Sequence, residues 1–471
     1  TTTTGVETFN VVQSDDNNIG LTISDNTFTG VASNKLTINA TALDGTNNAT
    51  PAIGGLTLNA GGVTKALVVN AGEGNDNITT GSGADIINLG SGDDTVNAGS
   101  GDNTITNHSG NKTVTTLGGN DSITLGDGNH NVNSGAGNDT ITTGKGNSML
   151  DAGAGNDTIT VGNGNNVIVA GDGNDVVVTG TGNNNVDGGA GADRITLGGS
   201  ATSSNTVTGG AGADTIVGSA GSDTFRYVQL SDSDGTLVPS ANKDTIVGFD
   251  VTKDKVAIEA AMFGNNSTLL NFAGNAMSFG QAQGAVNLGA NNGKADYVYQ
   301  ADEGVLWVDL NDDGVLNGAD LQISFRNADG SIPSSLAFAA GNVITQDTIA
   351  PTAPTLSLLA ASDSNINNDR VTNLSPVTVR VTLNNTGPGT APIAGDRVTL
   401  SNGQVATLSA SDITAGYKDF SVNLNANAVN TLTAVVSNDP LAPIQGPASA
   451  ASAALVITHD NTAPTAVVAD L

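Results

Sequence analysis

Aspartate recurs at a fixed place in a nine-residue unit that runs from 71 to 196 without insertion or deletion, and again from 209 to 226. A typical unit, 152–160, reads Ala-Gly-Ala-Gly-Asn-Asp-Thr-Ile-Thr, with Asp157 at the sixth position. The fourth position is glycine in all 16 units, and the eighth is always apolar. Because short, strict repeats stack into a solenoid, the sixth-position carboxylates are expected to form a column.

Such a column needs cations. The apolar eighth residue should point into a narrow core between two facing parallel sheets, so that one solenoid turn is two units, and units on the same edge stack ~4.8 Å apart. Two bare carboxylates at roughly that spacing repel by about 3 kcal/mol at an effective dielectric near 20. Calcium fits the gap because it accepts six to eight carboxylate and carbonyl oxygens at flexible geometry, whereas magnesium demands a strict octahedron.

The two edges of the solenoid differ in this column. Edge 1 carries, at the sixth position, Asp85, Asn103, Asp121, Asp139, Asp157, Asp175, Asp193 and Asp214. Edge 2 carries Asp76, Asp94, Lys112, His130, Ser148, Asn166, Asn184 and Asp223. Consecutive aspartates give five gaps on edge 1, between Asp121 and Asp214, and one on edge 2, between Asp76 and Asp94. The sequence therefore predicts a one-sided calcium ladder, with Lys112 and His130 opposing a cation on edge 2. There, the fifth-position asparagines are expected to stack as an amide ladder: Asn111, Asn129, Asn147, Asn165 and Asn183.

Turn chemistry alone would explain Gly-Asn-Asp in a single copy. Sixteen copies with an in-register aspartate column favour calcium instead.

A second acidic pattern has the spacing of a twelve-residue EF-hand loop, with Gly314 at the sixth place and aspartate at the last. Its candidate ligands are Asp309, Asn311, Asp313, Asn317 and Asp320. The upstream flank 305–309 reads as a strand, so the alternative is a β-turn rich in Asp and Asn. A weaker candidate cluster contains Asp363, Asn365 and Asp369.

The elements that position these residues are predicted to be almost entirely β. We expect irregular β-solenoid turns over 1–70, a parallel β-roll of nonapeptides over 71–226, and a β-rich capping domain with the EF-hand-like loop over 227–346. A β-sandwich is expected over 347–460, because short strand-like segments are regularly spaced between two Asp-x-x-Ala-Pro joints, and a further repeat or tail is expected over 461–471.

Composition narrows the function. The formal net charge of −30 disfavours nucleic acid and anionic membrane surfaces as partners, and cysteine is absent. No apolar run is long enough to span a bilayer. The three histidines are isolated, and neither a His-Glu-x-x-His motif nor a Gly-x-Ser-x-Gly elbow occurs, so we expect no enzyme. The start at Thr1 and the end within an apparent repeat are interpreted as those of a fragment of a larger protein.

The nonapeptide segment resembles the RTX (repeats-in-toxin, hemolysin-type) β-roll, and 227–346 resembles the segment that follows it in RTX proteins. The family implies calcium as cofactor, type I secretion and folding outside the cell. Its calcium-ligand aspartate corresponds here to Asp76, Asp85, Asp94, Asp121, Asp139, Asp157, Asp175, Asp193, Asp214 and Asp223. The motif fails at Lys112, His130 and Ser148. It also loses its second glycine at His108, Leu117 and Ser219, where distorted turns are expected.

Residues 347–460 resemble a bacterial Ig-like adhesin module. The chain as a whole is similar to RTX-bearing surface-layer (S-layer) subunits in being rich in Thr, Ala, Asn and Gly and free of cysteine.

These features favour a structural protein of the bacterial cell surface, either an S-layer subunit or a large adhesin. It would self-assemble into a lattice or array and contact a cell-surface glycan or lipopolysaccharide. The alternative is the secretion and folding module of an RTX enzyme or toxin whose catalytic domain lies outside this chain. Ice binding along a repeat edge is disfavoured, because the third position varies from Asp127 to Lys145, Asn163 and Thr181.

Overall fold

The computed structural model describes residues 8–11, 19–25, 35–41, 54–233, 243–263, 270–287, 295–317, 320–334, 336–346, 353–359, 371–372, 375–383, 397–402, 404–425, 428–437 and 452–459. The cluster at Asp363, Asn365 and Asp369, the joints at 347–352 and 460–464, and the segment 461–471 lie outside these ranges. Contacts divide the chain into two compact units: 1–258 with 266–344, and 259–265 with 345–471. Among the described residues, no helix has the length and apolar character needed to cross a membrane.

Two long sheets build the first unit, with strands numbered in chain order. Sheet 1 contains, in spatial order, β1 (Thr8–Asn10), β3 (Lys35–Asn39), β5 (Ala66–Asn70), β7 (Ile86–Ser91), β9 (Thr104–Ser109), β11 (Ser122–Leu125), β13 (Thr140–Thr143), β15 (Thr158–Val161), β17 (Val176–Val178), β19 (Arg194–Thr196), β21 (Thr215–Val217), β23 (Asp244–Val247), β28 (Leu321–Arg326), β27 (Val305–Asp309), β26 (Ala295–Gln300) and β25 (Leu270–Ala276). Sheet 2 contains β2 (Ile19–Thr22), β4 (Leu56–Asn59), β6 (Asn77–Thr79), β8 (Asp94–Ser100), β10 (Lys112–Gly118), β12 (Asn131–Asn133), β14 (Met149–Asp151), β16 (Val167–Asp172), β18 (Asn185–Ala190), β20 (Ser204–Ala211), β22 (Ser222–Tyr227), β24 (Lys255–Glu259) and β29 (Val343–Gln346).

The repeat period sets the register of both sheets. Ile141 pairs with Ile159 in sheet 1, and Leu150 with Ile168 in sheet 2, so each parallel neighbour lies 18 residues along the chain. These eighth-position side chains are at most 1% exposed, while the residues on either side of them face outwards. The all-β class and the parallel β-roll of two-unit turns are therefore confirmed.

Two features of the structure require glycine at the fourth position: the backbone conformation and the close approach of the neighbouring turn. Gly155 has φ of 136°, a conformation that L side chains rarely adopt, and a Cβ there would overlap the carbonyl oxygen of Gly137 in the neighbouring turn. The turns consequently stack backbone on backbone.

Two of the three departures from the second glycine disturb the ladder as predicted. Between β7 and β9, Gly90 pairs with Asn107 and Ser91 with Ser109, so His108 is an extra residue in the register. Between β8 and β10 the extra residue is Leu117, whose side chain is 61% exposed. Each is accommodated as a bulge because it lacks the freedom of glycine to complete the tight turn. No register shift is recorded around the third, Ser219, which makes side-chain hydrogen bonds described below.

The segment 197–208, which separates the two blocks of units in the sequence, contains a degenerate unit. Strand β20 pairs Val207 with Val186, 21 residues earlier, and with Phe225, 18 residues later. A three-residue insertion precedes this unit, in which Ser203 stands where the invariant glycine would be. The roll continues through it without losing a strand.

Both sheets also extend beyond the repeats. Strand β23 continues sheet 1 and β24 continues sheet 2, each in parallel with its predecessor. Strands β26, β27 and β28 then pair antiparallel, and the helix α1 (Phe279–Asn287) contacts β25 and β26. Phe249, Phe325 and Phe338 supply an aromatic cluster, with ring centroids 5.0 to 5.4 Å apart. Aromatic packing thus replaces the thin aliphatic core of the roll at this end.

The described part of the second unit beyond residue 352 forms three small sheets and the helix α2 (Ala410–Ala415). The sheets are β30 (Thr355–Leu358), β32 (Val377–Thr382) and β35 (Tyr417–Val422); β31 (Val371–Thr372), β38 (Leu455–His459) and β36 (Ala428–Leu432); and β34 (Val405–Thr407), β33 (Arg397–Leu400) and β37 (Ala434–Ser437). All pairs are antiparallel except β31 with β38. Helix α2 is capped by Ser409, and one apolar core contains Val379, Phe420 and Val436.

Candidate metal centre

The sixth-position residues, which we call rungs, are joined from turn to turn by a repeated hydrogen bond. Asp157 Oδ1 accepts the backbone N–H of Asp139 at 2.7 Å, and the N–H of Asp157 is donated to Asp175 Oδ1, also at 2.7 Å. On edge 1 the same bond, 2.7 to 3.0 Å long, connects Asp85, Asn103, Asp121, Asp139, Asp157, Asp175, Asp193, Asp214 and Asp244 in unbroken succession. One carboxylate oxygen of each rung is therefore committed to the backbone of its neighbour.

The second carboxylate oxygen of each aspartate rung, Oδ2, makes no such hydrogen bond. Buried Oδ2 atoms without a hydrogen-bond partner occur, among the described residues of edge 1, at Asp85, Asp121, Asp139, Asp157, Asp175, Asp193, Asp214 and Asp244. Each of these residues is at most 2% exposed. This oxygen lies against the first residue of its own unit, since a Cβ on Gly188 would come within 2.6 Å of Asp193 Oδ2. An ionised carboxylate in such a place requires a positive partner.

Burial raises the pKa of the rung carboxyls. For Asp157 and Asp193 it rises to about 7, chiefly through desolvation and further through the charge of neighbouring aspartates, although the backbone N–H bond acts in the opposite direction. The pKa of Asp214 is raised to about 7 for the same reasons. Burial and the charge of neighbouring rungs thus disfavour the ionised form of each rung carboxyl, unless cations neutralise the column.

On edge 2 the chain supplies its own positive groups and N–H donors. Lys112 Nζ lies 3.0 Å from Asp94 Oδ2 and donates to the carbonyl oxygens of Ser109, at 2.7 Å, and Gly92. His130 Nε2 bonds the Gly126 carbonyl at 3.0 Å, and burial lowers the pKa of this imidazole. Ser148 Oγ accepts the backbone N–H of His130 at 3.2 Å, so this rung is retained without any charge.

Asparagine rungs act in the same way as the lysine and histidine. Asn166 Nδ2 donates to the carbonyl of Gly164 at 3.2 Å, and Asn184 Nδ2 to that of Gly180, also at 3.2 Å. The Lys112 ammonium and the Asn166 and Asn184 amides each lie where turn carbonyl oxygens point towards the rung. At Lys112 the carboxylate of Asp94 faces the same place, so the ammonium takes the position of a cation between two rungs. On edge 1 only Asn103, whose Nδ2 donates to Gly101, has such a donor among the rungs.

This oxygen set fits calcium. Within the described ranges, no group of three or more histidine, aspartate or glutamate side chains is close enough together to hold a metal ion alone. Backbone carbonyls of the turns must therefore complete each site, and calcium accepts mixed carboxylate and carbonyl oxygens at variable geometry.

A comparison with known families agrees with this geometry. Residues 70–105, 108–141, 133–168, 169–202 and 201–227 match the model of the RTX calcium-binding nonapeptide repeat. The repeat segment is an RTX β-roll. RTX nonapeptide repeats bind calcium, and the proteins that carry them are typically secreted through type I systems. No curated protein sequence gives a significant match to the chain.

Of the three edge 2 rungs that the RTX motif implies, Asp76 resembles the rungs of edge 1, whereas Asp94 and Asp223 differ from them. Asp76 has a buried, partnerless Oδ2 and a pKa raised to about 7 by burial, whereas Asp94 is paired with Lys112. Asp223 accepts from the backbone N–H and hydroxyl of Ser219 at 2.6 and 2.9 Å and from Asn205 Nδ2 at 2.9 Å. Ser219, which replaces the second glycine, thus saturates the carboxylate of its own unit.

The fifth-position ladder exists, but its hydrogen bonds run to the backbone. Asn129 Oδ1 accepts the N–H of Asn147 at 2.7 Å, and Asn147 Oδ1 that of Asn165. Edge 1 has the same ladder at Asn120, Asn138, Asn156 and Asn174. The predicted asparagine ladder on edge 2 is therefore present, but each Oδ1 accepts the next backbone N–H instead of a side-chain amide, and edge 1 has a ladder of the same kind.

The EF-hand-like loop connects the antiparallel strands β27 and β28, as its strand-like flank predicted. Asp309 and Asp320 are completely buried; burial, then the charge of Asp309, raises the pKa of Asp320 to about 7. Asp309 Oδ2 accepts the N–H of Gly314 at 2.9 Å, and its Oδ1 has no hydrogen-bond partner. Asn311, Asp313 and Asn317 bond within the loop instead: Asn311 Nδ2 donates to Asp313 Oδ2 at 3.0 Å, and Asn317 Nδ2 to a backbone carbonyl at 2.7 Å.

The structure also supplies rungs that sequence reasoning missed. Asn205, in the degenerate unit, accepts the backbone N–H of Asn184 at 2.9 Å. Beyond the repeats, Asp244 continues edge 1, and Asp254 continues edge 2 by accepting the N–H of Asp223 at 2.9 Å. The signal was present in Asp244-Thr-Ile-Val, which has the same order as Asp157-Thr-Ile-Thr without the preceding glycines.

Proposed function

We propose that this chain is the calcium-ordered part of a structural cell-surface protein, an S-layer subunit or large adhesin, that is exported by a type I system and folds outside the cell. The observation that carries the proposal is the edge 1 column, in which each aspartate holds a buried, partnerless oxygen. At cytosolic calcium levels this column is uncompensated, so the segment stays unfolded and can be exported. Extracellular calcium then couples binding to folding.

The ligands in this proposal are the edge 1 aspartates, Asp76 with Asp94 on edge 2, and the loop carboxylates Asp309 and Asp320. Asp223 contributes least, because its oxygens already have protein donors. Asn311, Asp313 and Asn317 can join the loop site only after exchanging their local hydrogen bonds.

A structural role is supported by how the roll is built into the chain. Both sheets of the roll continue past the last unit, and the chain then forms a second β unit with its own apolar core. We propose that this second unit is an Ig-like module and that the roll has a structural role. Self-assembly into a lattice, with a cell-surface glycan or lipopolysaccharide as anchor, belongs to the same proposal.

The test is reversible chelation on intact cells that display the protein. We expect a calcium chelator to release the protein and added calcium to restore an ordered array, visible by electron microscopy. Persistence of the array in chelator would overturn calcium-driven assembly. Recovery of the protein only as a calcium-loaded monomer in the medium would favour the secretion and folding module of an enzyme or toxin.

A further inference from the structure

An open groove runs along the outside of edge 2, in the direction of the roll axis. It crosses successive turns between 93 and 167 and has a volume of about 390 Å³. The buried sixth-position rungs form its floor, where the charge of Lys112 is matched by Asp94 at 3.0 Å. One wall is the fifth-position row: Asp93, Asn111, Asn129, Asn147 and Asn165.

The second wall is the outward-facing seventh-position row of sheet 2: Thr95, Thr113, Asn131, Met149 and Val167. Met149 pairs with Val167 on the neighbouring strand, and their side chains are 58% and 39% exposed. This wall therefore ends in a small apolar surface. On edge 1 the same row has shorter side chains, so it offers a lower wall: Thr104, Ser122, Thr140 and Thr158.

The asparagine wall presents hydrogen-bond donors of fixed direction. Asn129 Oδ1 accepts the backbone N–H of Asn147 at 2.7 Å, and Asn147 Oδ1 that of Asn165 at 2.7 Å. Asn111 Oδ1 holds Asn129 in the same way at 2.8 Å. Within the described part of the chain, the Nδ2 groups of these exposed asparagines make no hydrogen bond. They form a preorganised row of amide donors, spaced ~4.8 Å apart, that faces solvent.

Charge and spacing select the occupant of the groove. Of the wall residues only Asp93, at one end, carries a formal charge, while the chain as a whole carries −30 and repels anionic polymers. An extended peptide advances ~3.3 Å per residue and would fall out of step with donors ~4.8 Å apart. A sugar unit in an extended β-linked polysaccharide advances by nearly one turn of the roll, and it offers both acceptor oxygens and apolar C–H faces.

We propose that this groove binds an extended, uncharged polysaccharide. Its hydroxyl and ether oxygens accept hydrogen bonds from the Nδ2 groups of the asparagine wall, and its C–H faces pack on Met149 and Val167. Because the donors are already held in place by the ladder, little conformational entropy is lost on binding. The inference rests on the proposed cell-surface role and names the contact for its glycan anchor.

Binding of short glycans to the calcium-loaded full chain tests the groove. In isothermal titration calorimetry with cellohexaose, mannohexaose and xylohexaose, we expect at least one of these neutral chains to bind. A hexamer of galacturonate, which is of similar length but acidic, should not bind. Failure of all the neutral hexamers, or binding of the acidic hexamer alone, would overturn the proposal.

Two double variants make the same change on opposite edges. Asn129→Asp with Asn147→Asp keeps each Oδ1 and its backbone hydrogen bond but removes the Nδ2 donors. This pair should weaken binding about tenfold or more, as expected for the loss of two hydrogen bonds. Asn138→Asp with Asn156→Asp alters the equivalent ladder of edge 1 and should leave the affinity unchanged. Equal losses from the two pairs would exclude the groove as the site.

The apolar part of the groove has its own test. Met149→Thr shortens the second wall at an exposed position, so the fold should be kept and the affinity should fall several-fold. Val178→Thr, at a 38% exposed position on sheet 1, is the matched control and should bind like the parent chain. Unchanged binding by Met149→Thr would contradict the contact with the sugar C–H faces.

This proposal and the cell-surface role can fail separately. If no neutral hexamer binds while a chelator still dissolves the surface array, the groove is wrong and the cell-surface role stands. If a neutral hexamer binds and the array persists in chelator, the groove stands and calcium-driven assembly is wrong.

Discussion

Lys112 Nζ lies 3.0 Å from Asp94 Oδ2, and neither side chain has any exposed surface. The ammonium group also bonds two turn carbonyls, so it takes the position that a calcium ion would need between these rungs. Edge 2 is thereby held together at this point by a cation that belongs to the chain.

Replacing this lysine should create a calcium site. Lys112→Asp restores the rung pattern between Asp94 and position 112, and we expect it to add one calcium per chain in equilibrium dialysis. Lys112→Met should add none and should destabilise the calcium-bound protein by about 3–5 kcal/mol, because a buried carboxylate loses its partner. An unchanged calcium count in Lys112→Asp would contradict the view of Lys112 as a stand-in cation.

The two edges should respond differently to the loss of a rung. Asp157→Asn keeps the hydrogen bond from Asp139 but removes a ligand charge. Since outer-shell partners alone change metal affinity by roughly 10–100-fold, the calcium midpoint of folding, followed by circular dichroism, should rise at least about tenfold. Ser148→Ala, the equivalent change on edge 2, costs one hydrogen bond and should leave the midpoint in place. Equal shifts would exclude a one-sided ladder.

Acid should partly replace calcium. The carboxyls of Asp157, Asp193 and Asp214 have pKa values near 7 in the folded chain, above the ordinary value of 3.8. A group with a raised folded-state pKa stabilises the fold fully below its unfolded pKa, and this stabilisation is lost as pH rises towards 7. In chelator, β structure measured by circular dichroism should therefore increase between pH 7 and pH 4. A decrease over that range would show that these carboxyls do not control the calcium-free state.

The fourth-position glycine should resist even the smallest substitution. Gly155→Ala places a Cβ at φ of 136° against the Gly137 carbonyl and should destabilise the calcium-bound protein by more than about 2 kcal/mol in thermal or denaturant unfolding. Gly284→Ala, in α1 with no atom within 4 Å of the new Cβ, should stabilise its helix by about 0.5–1 kcal/mol. Similar effects at both positions would argue against close backbone stacking.

The nine-residue period predicted the fold well because each unit forms the same turn and strand and buries the same position. Position eight had to be buried, and the charge difference between the edges followed from pairing alternate units. Asp244 and Asp254 were not predicted as rungs, because the repeat unit was recognised in the sequence by its glycines. The rung hydrogen bond requires only a carboxylate and a neighbouring N–H. The position of Asp244 also depends on contacts between distant parts of the chain: its N–H is donated to Ser233 Oγ at 3.0 Å, and that hydroxyl donates to the carbonyl of Gln322 on β28.

The rung bonds join each turn only to the turns beside it, in single file along the roll. In the proposed cell-surface role the chain would be exposed to shear, and we expect a pull along the roll axis to meet one small barrier per 18-residue turn instead of a single large one. Each released turn would give up its ions and recover them when the load falls. Calcium concentration would then set how much force the roll withstands, and the mechanical stability of the roll would vary with the calcium outside the cell.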